Sequence, residues 1–115
     1  MAKEYLERLT ALLREATSGR FGSIKLEYKH FFSGAALYAN GKICISLTPA
    51  GFAIKLPEEL RNDLLKQKGT NPLQYFPERA VKKGYVVLPK AVLDDREVLR
   101  DWVKVSIEYV TSLNG

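Results

Sequence analysis

Two side chains in this sequence have the chemistry to act on a substrate: His30, the single histidine, and Cys44, the single cysteine. A histidine serves as a general base when a substrate pocket and an orienting partner surround it, and a cysteine becomes a nucleophile when nearby positive charge depresses its pKa. Neither setting is legible around these two. His30 reads as a structural or surface residue, and Cys44, inside an alternating run, as a small packed side chain or a thiol on a sheet face. The carboxylate pairs Glu58-Glu59 and Asp94-Asp95 each open a segment with helical spacing, where anionic groups accept from free N–H groups and offset the helix dipole. One His and one Cys do not make the ligand cluster of a zinc or iron–sulfur site. The eight glycines form neither a dinucleotide fingerprint nor a phosphate loop. The expectation is a chain with no catalytic residue, no cofactor and no metal.

The remaining chemistry is cationic. Arg20, Lys25, Lys29, Lys82 and Lys83 form a candidate surface for an anionic partner, with tyrosines and phenylalanines available to stack on exposed bases. The net charge is +5, and residues 20–93 hold twelve basic against five acidic residues. Acidic residues are interspersed, no block of five or six like charges occurs, and every aromatic also has a core position open to it. The same lysines therefore also read as the solvated face over an ordinary core.

The elements that must position these groups follow from periodicity. Leu6, Leu9, Leu13 and Ala16 lie at helical spacing from Ala2 to Thr17, and Gly19 can close that helix in the left-handed conformation. From Ile24 the period becomes two, with Ile24, Leu26, Tyr28 and His30 on one side of a strand and Lys25, Glu27 and Lys29 on the other. Asn40-Gly41 between extended runs suits a type I′ turn. A two-residue loop there opposes Tyr38 to Ile43, Leu37 to Cys44 and Ala36 to Ile45. Ile43, Ile45 and Leu47 then share the more apolar face with Tyr38, and Cys44, Ser46 and Thr48 share the other with Leu37. Pro49-Ala50-Gly51 turns the chain into Phe52-Ala53-Ile54-Lys55-Leu56, completing a three-stranded antiparallel meander.

Pro57-Glu58-Glu59 opens a middle helix whose buried edge is Leu60, Leu64 and Leu65 and which Gly69 ends. Between Thr70 and Lys83, Pro72 and Pro77 leave room for a loop with a short edge strand at most. Tyr85-Val86-Val87-Leu88 is a compact strand stopped by Pro89. Asp94 with Glu97 has the form of a capping box for a last helix containing Leu99, Trp102, Val103, Ser106, Val110 and Leu113, with Trp102 and Leu99 packing it on the sheet. The class is α+β: an antiparallel β-meander with flanking helices at the N-terminus, middle and C-terminus.

At 115 residues, with 46% hydrophobic and 27% charged side chains, the chain suits one domain, 1–115, and no apolar run approaches the roughly 18 residues of a membrane span. The start Met1-Ala2-Lys3-Glu4-Tyr5 carries no apolar signal region and a lone cysteine forms no intrachain disulfide, so a cytoplasmic location is expected.

The order of motifs adds a resemblance. Phe31-Phe32-Ser33-Gly34-Ala35-Ala36-Leu37-Tyr38-Ala39-Asn40-Gly41-Lys42 resembles the signature of the TfoX N-terminal domain family, the domain of TfoX/Sxy-like competence regulators, with its Phe-Gly-Gly-like entry before Gly-Leu-Tyr and a glycine turn. Gly51-Phe52-Ala53-Ile54-Lys55-Leu56 is similar to the family's second strand pair. Tyr85-Val86-Val87-Leu88-Pro89, Val92-Leu93-Asp94-Asp95, Leu99 and Trp102 are similar to its closing pattern of strand, proline, capped helix and tryptophan. Ser33, Ala35 and Ala36 stand where the family often has glycine, and Ile43-Cys44-Ile45 replaces a Phe-Ala run. The resemblance implies a non-enzymatic α+β domain, linked to regulation of DNA-uptake competence, that works with a protein partner such as a transcription regulator. Two-domain members add a C-terminal helical domain, and the expectation here is the N-terminal domain alone. Direct, weakly sequence-specific nucleic-acid binding through the basic middle segment is the second reading, and a small enzyme using Cys44 or His30 the third.

Overall fold

A computed structural model describes residues 2–19, 21–31, 34–74 and 83–112. Helix α1 (Ala2–Thr17) buries Leu9, Leu13 and Ala16 and is followed by Gly19 at φ +66°. Strands β1 (Leu26–Phe31), β2 (Gly34–Ala39), β3 (Lys42–Thr48) and β4 (Gly51–Lys55) precede helix α2 (Glu58–Leu65). Then come the two-residue strand β5 (Asn71–Pro72), β6 (Tyr85–Val87), the short helix α3 (Lys90–Leu93) and α4 (Arg96–Ser112). All strand pairs are antiparallel, in the order β1-β2-β3-β4-β6-β5. The α+β class with helices at both ends and in the middle holds, but the three-stranded meander is the centre of a six-stranded sheet.

The β2–β3 turn forms as its residues require: Asn40 lies at φ +50° and Gly41 at φ +79°, the pair of left-handed conformations of a type I′ turn. Asn40 has a second task. Its N–H donates to the Lys25 carbonyl at 2.8 Å and its Oδ1 accepts from the Lys25 N–H at 2.8 Å, so the turn also holds the entry of β1.

The register expected from this turn holds for two pairs only. Ala39 faces Lys42 and Tyr38 faces Ile43, but Leu37 then faces Ile45 and Ala35 faces Leu47. Cys44 is an extra residue, a β-bulge, and from that point the faces are the reverse of those the simple alternation gives. Cys44, Ile45 and Leu47 join Leu37 in the main core beneath α1 and α4, while Ile43 packs with Ala53, Leu73 and Tyr85 on the outer face. A sequence alternating through residues 43–48 carries no mark of the inserted residue, because a bulge is chosen by the packing of both neighbours.

The bulge also disrupts the ladder to β4, which stops at Ile45 opposite Ile54. The carbonyls of Cys44 and Lys55 lie just beyond. Ser106, fully buried on α4, directs its hydroxyl between them, with Oγ 3.1 Å from the Cys44 oxygen and 2.7 Å from the Lys55 oxygen. One side-chain proton is thus shared between two backbone acceptors, one buried and one part-buried, and fixes α4 against the sheet.

Four helix details differ from expectation. The last helix is capped by Asp95, whose Oδ1 accepts from the Val98 N–H at 3.2 Å; Asp94 instead closes α3 and pairs with Lys90 at 2.7 Å. Helix α2 buries Leu64, half-buries Leu60 and leaves Leu65 38% exposed, because α2 lays only one narrow edge on the sheet; it ends at Leu65, before Gly69. Trp102 is half-buried at the margin of the core, whereas Val103 and Ile107 are fully buried on α4. The edge strand falls on Asn71–Pro72, and Leu113, like residues 75–82, lies outside the described residues.

Ser106→Ala removes the donor shared by the Cys44 and Lys55 carbonyls and is expected to lower stability by about 1 to 3 kcal/mol in urea unfolding. Ile107→Ala should cost about 2 to 5 kcal/mol and exceed the loss from Trp102→Ala, since an interior cavity costs more than a marginal one. A larger loss from the tryptophan change would contradict this core arrangement.

Candidate functional site

The candidate basic residues divide across the sheet. Lys25 precedes β1 and Lys29 lies within it, so the structure brings these two together on one edge. Lys83 precedes β6, four strand positions away, a separation of roughly 19 Å at ordinary strand spacing. Arg20 and Lys82 lie outside the described residues.

The β1 lysines already have neighbours. Lys25 Nζ is 3.9 Å from Glu27 Oε1, and Lys29 Nζ lies 5.0 Å from the centroid of the Tyr38 ring on β2. On the same outer face Lys55 Nζ lies 5.9 Å from the Tyr85 ring centroid. A lysine over an aromatic face keeps its charge in water while the ring's quadrupole attracts it. These two lysine–tyrosine pairs are the surface feature that residue-by-residue reading missed. Their signal is a lysine alternating into the outer face of one strand and a tyrosine into that of the next, readable only once the strands are placed in register.

The two reactive side chains are not neighbours in a shared pocket. Cys44 is fully buried, its Sγ–H donates to the Leu37 carbonyl at 3.3 Å, and burial pushes its pKa up to about 12. At neutral pH it is an uncharged, packed thiol. His30 is exposed on β1, the edge strand, two strand positions from β3. Burial also raises the pKa of Tyr28, a shift opposed by the Thr17 hydroxyl 3.5 Å from the phenol oxygen.

The concave surface lies on the helix side. A cleft of about 630 Å³ runs between Tyr5, Arg8 and Leu12 of α1, Pro49 and Phe52 at the β3–β4 turn, and Leu93 of α3. A second, of about 520 Å³, continues from Leu12 and Leu93 toward Glu15, Arg96 and Arg100. Its rim carries the ion pair Arg96–Glu15, 3.5 Å apart and exposed, so it contributes little to stability. Glu58 and Glu59 lie in the first turn of α2 and Asp95 caps α4, where helix electrostatics favours anions, whereas Asp94 closes the C-terminal end of α3. Among the described residues no three His, Cys, Asp or Glu side chains are grouped to hold a metal ion, and no helix is long and apolar enough to cross a membrane.

Fold and surface together define a small α+β domain whose antiparallel sheet has a helical layer on one side and lysine–tyrosine pairs on the other. Residues 20–110 match the TfoX N-terminal domain model, and the chain belongs to that family. No curated protein and no solved structure matches it.

The Cys44 shift has a stability consequence. Its folded pKa, about 12, lies above the ordinary thiol value of 9.0, so between these values the unfolded chain loses a proton that the folded chain keeps. This contribution is complete below pH 9 and is lost as the pH rises toward 12. Urea titrations across this range should show a smaller alkaline loss of stability in Cys44→Ala than in the parent. Alkylation at pH 8 should be slow in the native protein and fast in urea. Rapid native alkylation would contradict a packed thiol.

Proposed function

We propose that this TfoX N-terminal domain is a non-enzymatic, cytoplasmic regulatory module that binds a protein partner, a transcription regulator, in the control of DNA-uptake competence. The observation that carries the reading is the family match over residues 20–110, which takes in the whole sheet and nearly all of α4. The charge layout supports a protein over a duplex as the partner. The longest helix, α4, exposes Glu97, Asp101 and Glu108 beside Arg96 and Lys104, a mixed face that phosphates do not favour. Lys25 and Lys29 stand far from Lys83, so they do not form one continuous track along a nucleic-acid backbone.

The test is affinity capture from native extract, followed by direct titration of the captured regulator and of several unrelated duplexes over a range of salt. The regulator should bind in a way that depends on a few buried anchor residues. Duplexes should bind at about 10⁻⁴ to 10⁻⁶ M near physiological salt, without sequence preference, and more weakly as salt rises. Lys25→Ala, Lys29→Ala and Lys83→Ala should each reduce that binding alike for every duplex, since phosphate contacts do not read bases. Nanomolar, sequence-selective duplex binding by the isolated chain would overturn the proposal in favour of direct nucleic-acid recognition.

A further inference from the structure

β1 is an edge strand whose free side is complementary to itself. The exchange between Lys25 and Asn40 sets the hydrogen-bonding parity of the β1–β2 ladder, so that Glu27, Lys29 and Phe31 bond inward to Tyr38, Ala36 and Gly34. The N–H and C=O groups of Leu26, Tyr28 and His30 therefore point away from the sheet, and no turn or loop backbone among the described residues meets them. Soluble proteins blunt such edges with proline, bulges, very short strands or charged side chains, lysine above all. β1 has six residues, pairs with β2 without a register break and contains no proline.

We infer that this edge pairs with the same edge of a second copy, antiparallel about a two-fold axis at Tyr28, joining two six-stranded sheets into one. Parity permits this arrangement, because the outward-facing residues Leu26, Tyr28 and His30 meet outward-facing residues of the second copy. Leu26 then lies opposite His30 of the partner subunit, and each exchanges both backbone bonds with the other. The charges select the register. With the axis at Tyr28, Glu27 lies opposite Lys29 of the partner subunit, and symmetry repeats that pair. The smallest slip that keeps outward groups facing one another is two residues. In one direction it sets Glu27 against Glu27 of the partner subunit, and in the other Lys29 against Lys29 of the partner subunit. Both slipped registers place like charges in direct opposition, where they destabilise the pairing. Glu27 and Lys29 are accessible for this contact, Lys29 exposed and Glu27 with 37% of its side chain accessible. An unrelated extended peptide could use the same backbone groups, but the match of Glu27 to Lys29 across the axis is a property of two identical strands.

Sedimentation equilibrium of the full chain over a wide concentration range tests the pairing. The parent should show a monomer–dimer equilibrium. Glu27→Lys and Lys29→Glu should each weaken dimerisation by about tenfold or more, because each puts two like-charge pairs in one interface. The double variant exchanges the charges and should regain the dimer. An equimolar mixture of the two single variants should form a heterodimer that neither forms alone. His30→Pro removes an outward N–H while leaving the bonds to β2, and should also weaken the dimer; thermal unfolding of each variant establishes that its monomer is folded. A parent chain that stays monomeric, a dimer indifferent to both reversals, or a double variant that fails to recover would overturn the inference. Capture of an extended peptide by a chain that remains monomeric would do so as well.

Discussion

The inserted residue in β3 decides which side of the sheet is the core. With Cys44 bulged, Leu37 meets Ile45 and Ala35 meets Leu47, and these side chains form the surface on which α1 and α4 pack. Without it, every residue of β3 beyond Cys44 would change face, carrying Ile45 and Leu47 out and Ser46 and Thr48 in. A bulge has a cost, since it takes backbone groups out of the ladder. Here the thiol donates to the Leu37 carbonyl and the Ser106 hydroxyl to those of Cys44 and Lys55, so the disruption becomes the attachment point of α4. Position 44 must therefore be small enough to fit beside Ile45 and able to donate weakly. Those two requirements are met by a thiol.

What the sequence makes legible is what short-range chemistry decides. The apolar stripe of α1, the Asn40-Gly41 turn, the compact run Tyr85–Val87 and the long final helix each follow from residues close together in the chain. The motif glycine in Ser33-Gly34-Ala35-Ala36 acquires its reason only in three dimensions: a Cβ at Gly34 would stand 2.2 Å from the Leu47 carbonyl oxygen. The bulge, the choice of Asp95 over its neighbour as cap and the marginal place of Trp102 escape local reading. Asp94 and Asp95 are chemically equal cap candidates, and α3 settles the choice by using Asp94 to end itself and bind Lys90. For a tryptophan, size suggests an anchor, yet the position facing the sheet at that level of α4 belongs to Val103.

The candidate basic surface was less legible than the fold for a related reason. Residue type marks a lysine as a charge available to a partner, but only the sheet order shows that Lys25 and Lys29 share an edge from which Lys83 is remote. Local contacts then modify what each charge offers. Lys29 lies over Tyr38 and Lys55 over Tyr85, so both ammonium groups are oriented by rings on adjacent strands and carry part of their stem across apolar surface. The outer face is thus a packed surface with cationic tips, a different object from a field of freely moving lysines.

The division of charge between the elements follows from the same layering. Helices α1 and α4 bury one stripe each and are solvated on the other by both signs of charge, as with Glu7 beside Arg8 or Asp101 near Lys104. A strand has fewer solvated positions, and along this outer face Lys25, just before β1, is followed by Glu27 and Lys29 within it. Turned end for end about Tyr28, the strand presents Glu27 to Lys29 and Lys29 to Glu27, while Lys25 meets the uncharged Phe31. A strand of uniform charge repels its own copy in every register, and an apolar one accepts many. Glu27 and Lys29 on either side of Tyr28 confer preference for one antiparallel register, a specificity set by where β1 lies in the sheet and requiring no reactive group.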